Sequence, residues 1–102
     1  MYTERERIEE LKAEGFEADY DIRDGALVNI QSGKAYEKGE VHLLKDYRFE
    51  GRSNPSDMSI LYAMETSSGE KGTLLVNYGP NTPQEIVRFF RDLEEKPSKS
   101  DN

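Results

Sequence analysis

The chain contains no cysteine and a single histidine. The first absence excludes disulfides, thiolate zinc sites, iron–sulfur clusters and a Cys nucleophile. The second leaves any metal to carboxylates, which suit Mg²⁺ or Ca²⁺ better than transition metals. Asp19, Asp21 and Asp24-Gly25 superficially have the look of a calcium loop, but Arg23 takes a ligand position, the glycine falls one residue late and the twelfth place is not acidic. His42 reads as a structural or exposed residue. No Gly-rich phosphate cradle is present: Gly69-Glu70-Lys71-Gly72 lacks the helix a P-loop requires, and Gly33 and Gly39 belong to a linker. A Gly-x-Ser-x-Gly elbow is missing as well. Neither a cofactor nor a metal is expected.

Long apolar runs are also missing. Crossing a bilayer takes about 20 apolar residues, and no stretch comes near that. The charged start Met1-Tyr2-Thr3-Glu4-Arg5 lacks the apolar core of a signal peptide. The expectation is a soluble, cytoplasmic protein with no membrane partner. Cations are scarce: 14 Lys and Arg stand against 21 Asp and Glu, for a net charge of -7. Nucleic-acid binding depends on cations that neutralise phosphates, so nucleic acid is not an expected partner. The acidic surplus reads as a solvated surface.

What is present specifies a small fold. With 102 residues and 34% hydrophobic content, the chain can bury one modest core in one domain. Thr3 and Glu6 have capping-box spacing, Ile8 and Leu11 recur at helical spacing, and Gly15 is placed to stop a helix over 4–14. Ala18, Tyr20 and Ile22 alternate with polar residues, as do Ala26, Val28 and Ile30. A three-residue loop, Arg23-Asp24-Gly25, keeps both apolar sets on one face. It pairs Ile22 with Ala26 and Tyr20 with Val28, leaving Leu27 on the polar side. Residues 31–40 read as a loop with a short extended piece at 34–36.

Beyond it, Val41, Leu43, Tyr47 and Phe49 share one strand face. Met58, Ile60, Tyr62 and Met64 share another, as do Leu74, Val76 and Tyr78. Antiparallel pairing through 67–71 sets Met64 against Leu74, Tyr62 against Val76 and Ile60 against Tyr78. Thr82-Pro83-Gln84-Glu85 reads as a second capping box, and Ile86, Phe89, Phe90 and Leu93 follow at helical spacing.

The predicted fold is α+β: an antiparallel sheet of about five strands with an N-terminal and a C-terminal helix on one face. It forms a single domain over 1–93 with a disordered tail over 94–102. The other sheet face carries Arg48, Glu50, Leu61, Ala63, Leu75 and Asn77. Such a mixed face meets water, a second copy of the chain or a ligand.

The densest set of polar side chains is the turn between two of these strands. Arg48 and Glu50 flank it, and Arg52, Ser53, Asn54 and Asp57 lie within it. Asn54-Pro55 initiates a turn, and the neighbouring Ser and Asp can bond local backbone. One reading is a self-satisfied loop closed by Arg48–Glu50 or Arg52–Asp57. The other is a small anionic-ligand site formed by Arg48, Glu50, Arg52, Asn54 and Asp57, with Arg52 as fork donor.

Tyr47-Arg48-Phe49-Glu50-Gly51, Ser53-Asn54-Pro55 and Asp57, followed by Leu61-Tyr62-Ala63 and Lys71-Gly72, resemble a family of small uncharacterised bacterial proteins. Its members often carry the label "phosphoribosylpyrophosphate synthetase". The resemblance runs from the first helix to about Tyr78 and implies no defined site residues. The label conflicts with the residues here, since such enzymes are several times longer and use phosphate loops this chain lacks. The expected function is a non-catalytic binding or interaction module, homodimeric through the open sheet face. The alternative is a small enzyme or ligand-handling protein acting on a phosphorylated metabolite.

Overall fold

Thr3 opens the first helix as expected. Its hydroxyl accepts from the Glu6 amide at 3.1 Å, and the Glu6 carboxylate accepts from the Thr3 amide at 3.0 Å. Helix α1 spans Glu4–Ala13. It ends where Gly15 takes φ 111°, a left-handed stop that a side chain would oppose. The Phe16 amide then bonds the Leu11 carbonyl and the Gly15 amide bonds that of Lys12, which is the Schellman closure. That closure brings the apolar side chains of Leu11 and Phe16 into one cluster.

The computed structural model describes residues 3–50 and 58–95. After α1 come β1 (Ala18–Arg23), β2 (Ala26–Asn29), β3 (Ala35–Tyr36), β4 (Val41–Glu50), β5 (Met58–Thr66), β6 (Lys71–Tyr78) and helix α2 (Gln84–Glu95). The α+β class holds, but the sheet has six strands in the order β3-β2-β1-β6-β5-β4. Two antiparallel three-stranded meanders lie side by side, and the seam between them, β1 against β6, is parallel. The sheet is therefore mixed.

The helices do not share a face. Phe89, Phe90 and Leu93 of α2 pack on Ile60, Tyr62, Met64 and Val76. Leu11 and Phe16 pack on Leu61 and Ala63, with Tyr47, Phe49 and Leu75 joining them. Residues 60, 62 and 64 point one way along β5 and 61 and 63 the other. The sheet thus has a core on each side. The face expected to stay open for a second copy is covered, with Leu61 and Ala63 both at 0% exposure.

Two registers and the facing of one strand differ from expectation, each for a local reason. The β1–β2 hairpin pairs Ile22 with Leu27 and Tyr20 with Asn29 across the two-residue turn Asp24-Gly25. Both turn residues take positive φ, 53° and 76°, the geometry that suits strand twist in a tight hairpin. Leu27 is fully buried, and Asn29 is buried because its polar atoms are matched: its amide nitrogen donates to Glu70 at 2.9 Å. Treating Asn29 as an outward residue misplaced the register.

The β5–β6 pairing is offset by two residues. Tyr62 faces Leu74 and Ile60 faces Val76, because the Thr66 amide closes on the Glu70 carbonyl at 2.8 Å. A slip of two preserves every face, so alternation alone could not detect it.

In β4 the register shifts between Leu43 and Lys45. Leu44 is the extra residue and stands 46% exposed. This bulge reverses parity: Leu43 joins the α2 side, whereas Tyr47 and Phe49 join the α1 side. Arg48 consequently lies on the α2 side, opposite Ile60.

The expected cap of α2 is also spent differently. The Thr82 hydroxyl accepts from the Gly79 amide and donates to the Asn77 carbonyl, while Glu85 accepts from the Gly25 amide. The helix itself runs through Glu95, past the boundary drawn at 93; the tail expected beyond it lies outside the described residues.

Candidate functional site

The bulge in β4 and the phase of α2 together build a slot between the helix and the sheet. Met58 and Ile60 of β5 and Tyr78 of β6 line the sheet side. Val87, Phe90, Arg91 and Glu94 line the helix side, at i, i+3, i+4 and i+7, one stripe of a helix. Arg48 reaches the same slot from β4. The slot, open to solvent along one side, measures about 240 Å³, and its lining is mainly apolar.

Tyr62 anchors its inner end. Its ring stacks on Phe90 with centroids 3.9 Å apart and planes at 4°, and Phe89 meets Phe90 edge-on at 5.3 Å. The Tyr62 and Tyr78 hydroxyls are 2.8 Å apart. Tyr62 is 1% exposed, so an unshared hydroxyl proton there would be costly. The satisfied arrangement has Tyr62 donating to Tyr78, which leaves the Tyr78 proton for a group in the slot. Burial, then this hydrogen bond, push the ionisation of Tyr62 well above the ordinary phenol range. Burial also raises Tyr78, against the lowering effect of the bond from Tyr62.

Two other concave surfaces have their central polar groups matched within the protein. A polar depression near Gly15 and Asn29 is centred on Glu70, whose two oxygens accept from Tyr20 and Asn29, each at 2.9 Å. A smaller one holds Lys38, Glu85 and Arg88; there Lys38 pairs with Asp92, and Glu85 with the Gly25 amide. Arg88, in the smaller depression, has no ion pair among the described residues, and in the α2 slot the same is true of three side chains, Arg48, Arg91 and Glu94. His42 is exposed. No cluster of three or more His, Asp or Glu among the described residues could hold a metal ion. Among them, too, no helix is long and apolar enough to cross a membrane.

Of the five residues expected to bind a ligand, Arg48 lies in the slot. Its expected position on the face away from α2 is corrected by the bulge. Glu50 is the last residue of β4, opposite Met58 in register, and its side chain is not among those described. Arg52, Asn54 and Asp57 lie outside the described residues. Sequence reasoning missed Tyr62, Tyr78, Arg91 and Glu94 as site residues. The tyrosines read as core, and the stripe through 87, 90, 91 and 94 was overshadowed by the more apolar stripe beside it. No family model, curated protein or solved structure matches the chain.

Proposed function

We propose that the protein is a non-catalytic binding module that holds a small molecule in the slot between α2 and strands β4, β5 and β6. One observation carries this reading: an apolar, aromatic-lined slot bordered by two arginines with no ion-pair partner among the described residues. Small-molecule sites combine this kind of apolar lining with a few convergent polar groups. The chemistry suits holding rather than turnover. Proton transfer near neutral pH needs a group that titrates there, and the two tyrosines are shifted away from it.

Thermal-shift and NMR screening of small acids, amides, nucleotides and sugar phosphates tests the reading. Binding should raise the melting temperature and perturb Tyr78 and Arg91, and Val87→Phe should abolish both effects by filling the slot. A panel without a single responder would end the proposal. Sugar phosphates as the best responders would favour the phosphorylated-metabolite alternative, with Arg48 as the shared anchor.

A second reading, self-association, has its own observation. Strand β4 is ten residues long and ends the sheet, and such a strand offers unpaired backbone groups to another chain. The exposed Leu44 lies on it. Sedimentation velocity showing monomer only, up to high concentration, would remove this reading.

A further inference from the structure

We infer that the occupant of the α2 slot is a monoanion with a flat apolar body, of the class of single-ring aromatic carboxylates. This rests on the slot being a binding site, as proposed above, and adds the chemistry of what enters it.

Size comes first. A volume of about 240 Å³ falls below the roughly 300–1,000 Å³ of pockets that take drug-sized ligands. A single ring with a short polar head suits so small a slot better than a nucleotide does. The walls come next. Phe90, Tyr62 and Tyr78 bring ring surfaces, and Ile60 and Val87 bring branched aliphatic ones, and a flat ring packs against such surfaces by stacked or edge contacts.

Charge selects the head. The lining carries two positive charges, Arg48 and Arg91, and one negative, Glu94, with Asp46 acting on Tyr62 from outside the lining, so at most one positive charge is left for the ligand to neutralise. A carboxylate does so singly. A phosphate monoester near its dianionic form would meet Glu94 with excess negative charge. The planar guanidinium fork also matches a carboxylate by two parallel hydrogen bonds. The Tyr78 hydroxyl lies 2.8 Å from that of Tyr62 and, with Tyr62 donating to it, supplies a further neutral donor.

Both arginines and Glu94 are exposed, so salt should weaken the contact. The balance also assigns Glu94 a role: it discriminates against dianions.

The test uses the full chain and three probes of one shape: benzoate, benzamide and phenyl phosphate, titrated by ¹H–¹⁵N NMR. Benzoate should shift the resonances of Arg48, Tyr78 and Arg91 and saturate, binding about tenfold more tightly than benzamide, the scale of one charge-assisted hydrogen bond. Raising the salt should narrow that gap. Arg91→Gln should close most of it, and Arg91→Lys should restore it in part. Glu94→Gln should improve phenyl phosphate more than benzoate.

Benzamide binding as well as benzoate would overturn the assigned charge and leave the slot standing as a site. Phenyl phosphate binding more tightly than benzoate to the unmodified chain would overturn the monoanion. A slot unperturbed by all three probes, but shifted by another compound of the screening panel, would overturn the ligand class alone. No perturbation by any compound would remove the site and this inference with it.

Discussion

Gly72 shows how much a single residue decides where two meanders meet. A Cβ built there would lie 2.3 Å from the Ala18 carbonyl oxygen and 2.7 Å from the Tyr20 ring. Both neighbours belong to the parallel seam, so neither can retreat without opening it. Gly72→Ala should therefore destabilise the fold by about 1–3 kcal/mol, the usual cost of overpacking, read as a lower urea midpoint with an unchanged slope. A neutral result would mean that the seam is looser than its geometry implies.

The buried tyrosines make a second prediction at this scale. Burial, first among the causes, raises the ionisation of Tyr20 and Tyr62 above the ordinary value. Below about pH 10 both folded and unfolded chains keep these protons, and the stabilisation is fully present. As pH rises further, the unfolded chain ionises first, so stability falls by up to about 1.4 kcal/mol per pH unit for each such group. Denaturant midpoints from pH 8 to 11.5 should be flat and then drop, and Tyr62→Phe should drop less steeply. Parallel profiles for the two proteins would contradict this account.

Among the elements, β4 is the one whose behaviour the linear pattern misrepresents. Its apolar residues look like one continuous alternation, yet Leu44 interrupts the ladder and hands the second half of the strand to the other core. The side chain of Leu44 is half exposed and its bulk matters little. Leu44→Lys should change stability by no more than about 0.5 kcal/mol, as exposed substitutions do. Deleting the residue is a different matter, because it would turn Tyr47 and Phe49 toward α2 and Arg48 toward α1. That variant should lose far more stability, several kcal/mol by the cost of vacated core positions, together with any binding in the slot. Circular dichroism melts of the two variants separate the roles of side chain and backbone count. Similar melts would show that the strand absorbs the missing residue.

The other elements were more legible. The Thr3–Glu6 box, the Gly15 stop and the α2 stripe depend on neighbours within one turn, and each was readable without knowledge of the fold. The two hairpins kept their strands but not their registers. One hinged on Asn29, buried against Glu70, a partner 41 residues away; the other was ambiguous by a shift that leaves all faces unchanged.

At the scale of the whole molecule, the chain uses its limited apolar content twice, once on each side of a shared sheet. The α1 side is held by Leu11, 1% exposed, and by Arg7, whose guanidinium lies 4.3 Å from the centre of the Tyr47 ring. Ser59 of β5 also donates to Glu4 of α1. Because β5 contributes to both cores, neither can be lost while the other stays intact. Leu11→Ala should cost about 2–5 kcal/mol, and tyrosine fluorescence and far-UV circular dichroism should still report a single coincident transition. Two separated transitions would show the α1 layer to be an independent unit. The same sandwiching explains the covered face: the residues that looked like a surface for a second copy, Leu61, Ala63 and Leu75, are the seat of the first helix.

Sequence alone determined the class of the fold, the start and stop of the first helix, the existence of the main strands and the even-numbered residues of β5 that lie under α2. These depend on caps and on periodicity, which act over a few residues. Only the tertiary structure decided that β1 and β6 adjoin, which side α1 covers, where β4 breaks step and that Arg48 and Arg91 meet at one slot. Those outcomes depend on contacts between residues far apart in the chain, and alternation is blind to them: it records that a side chain is buried, not what buries it.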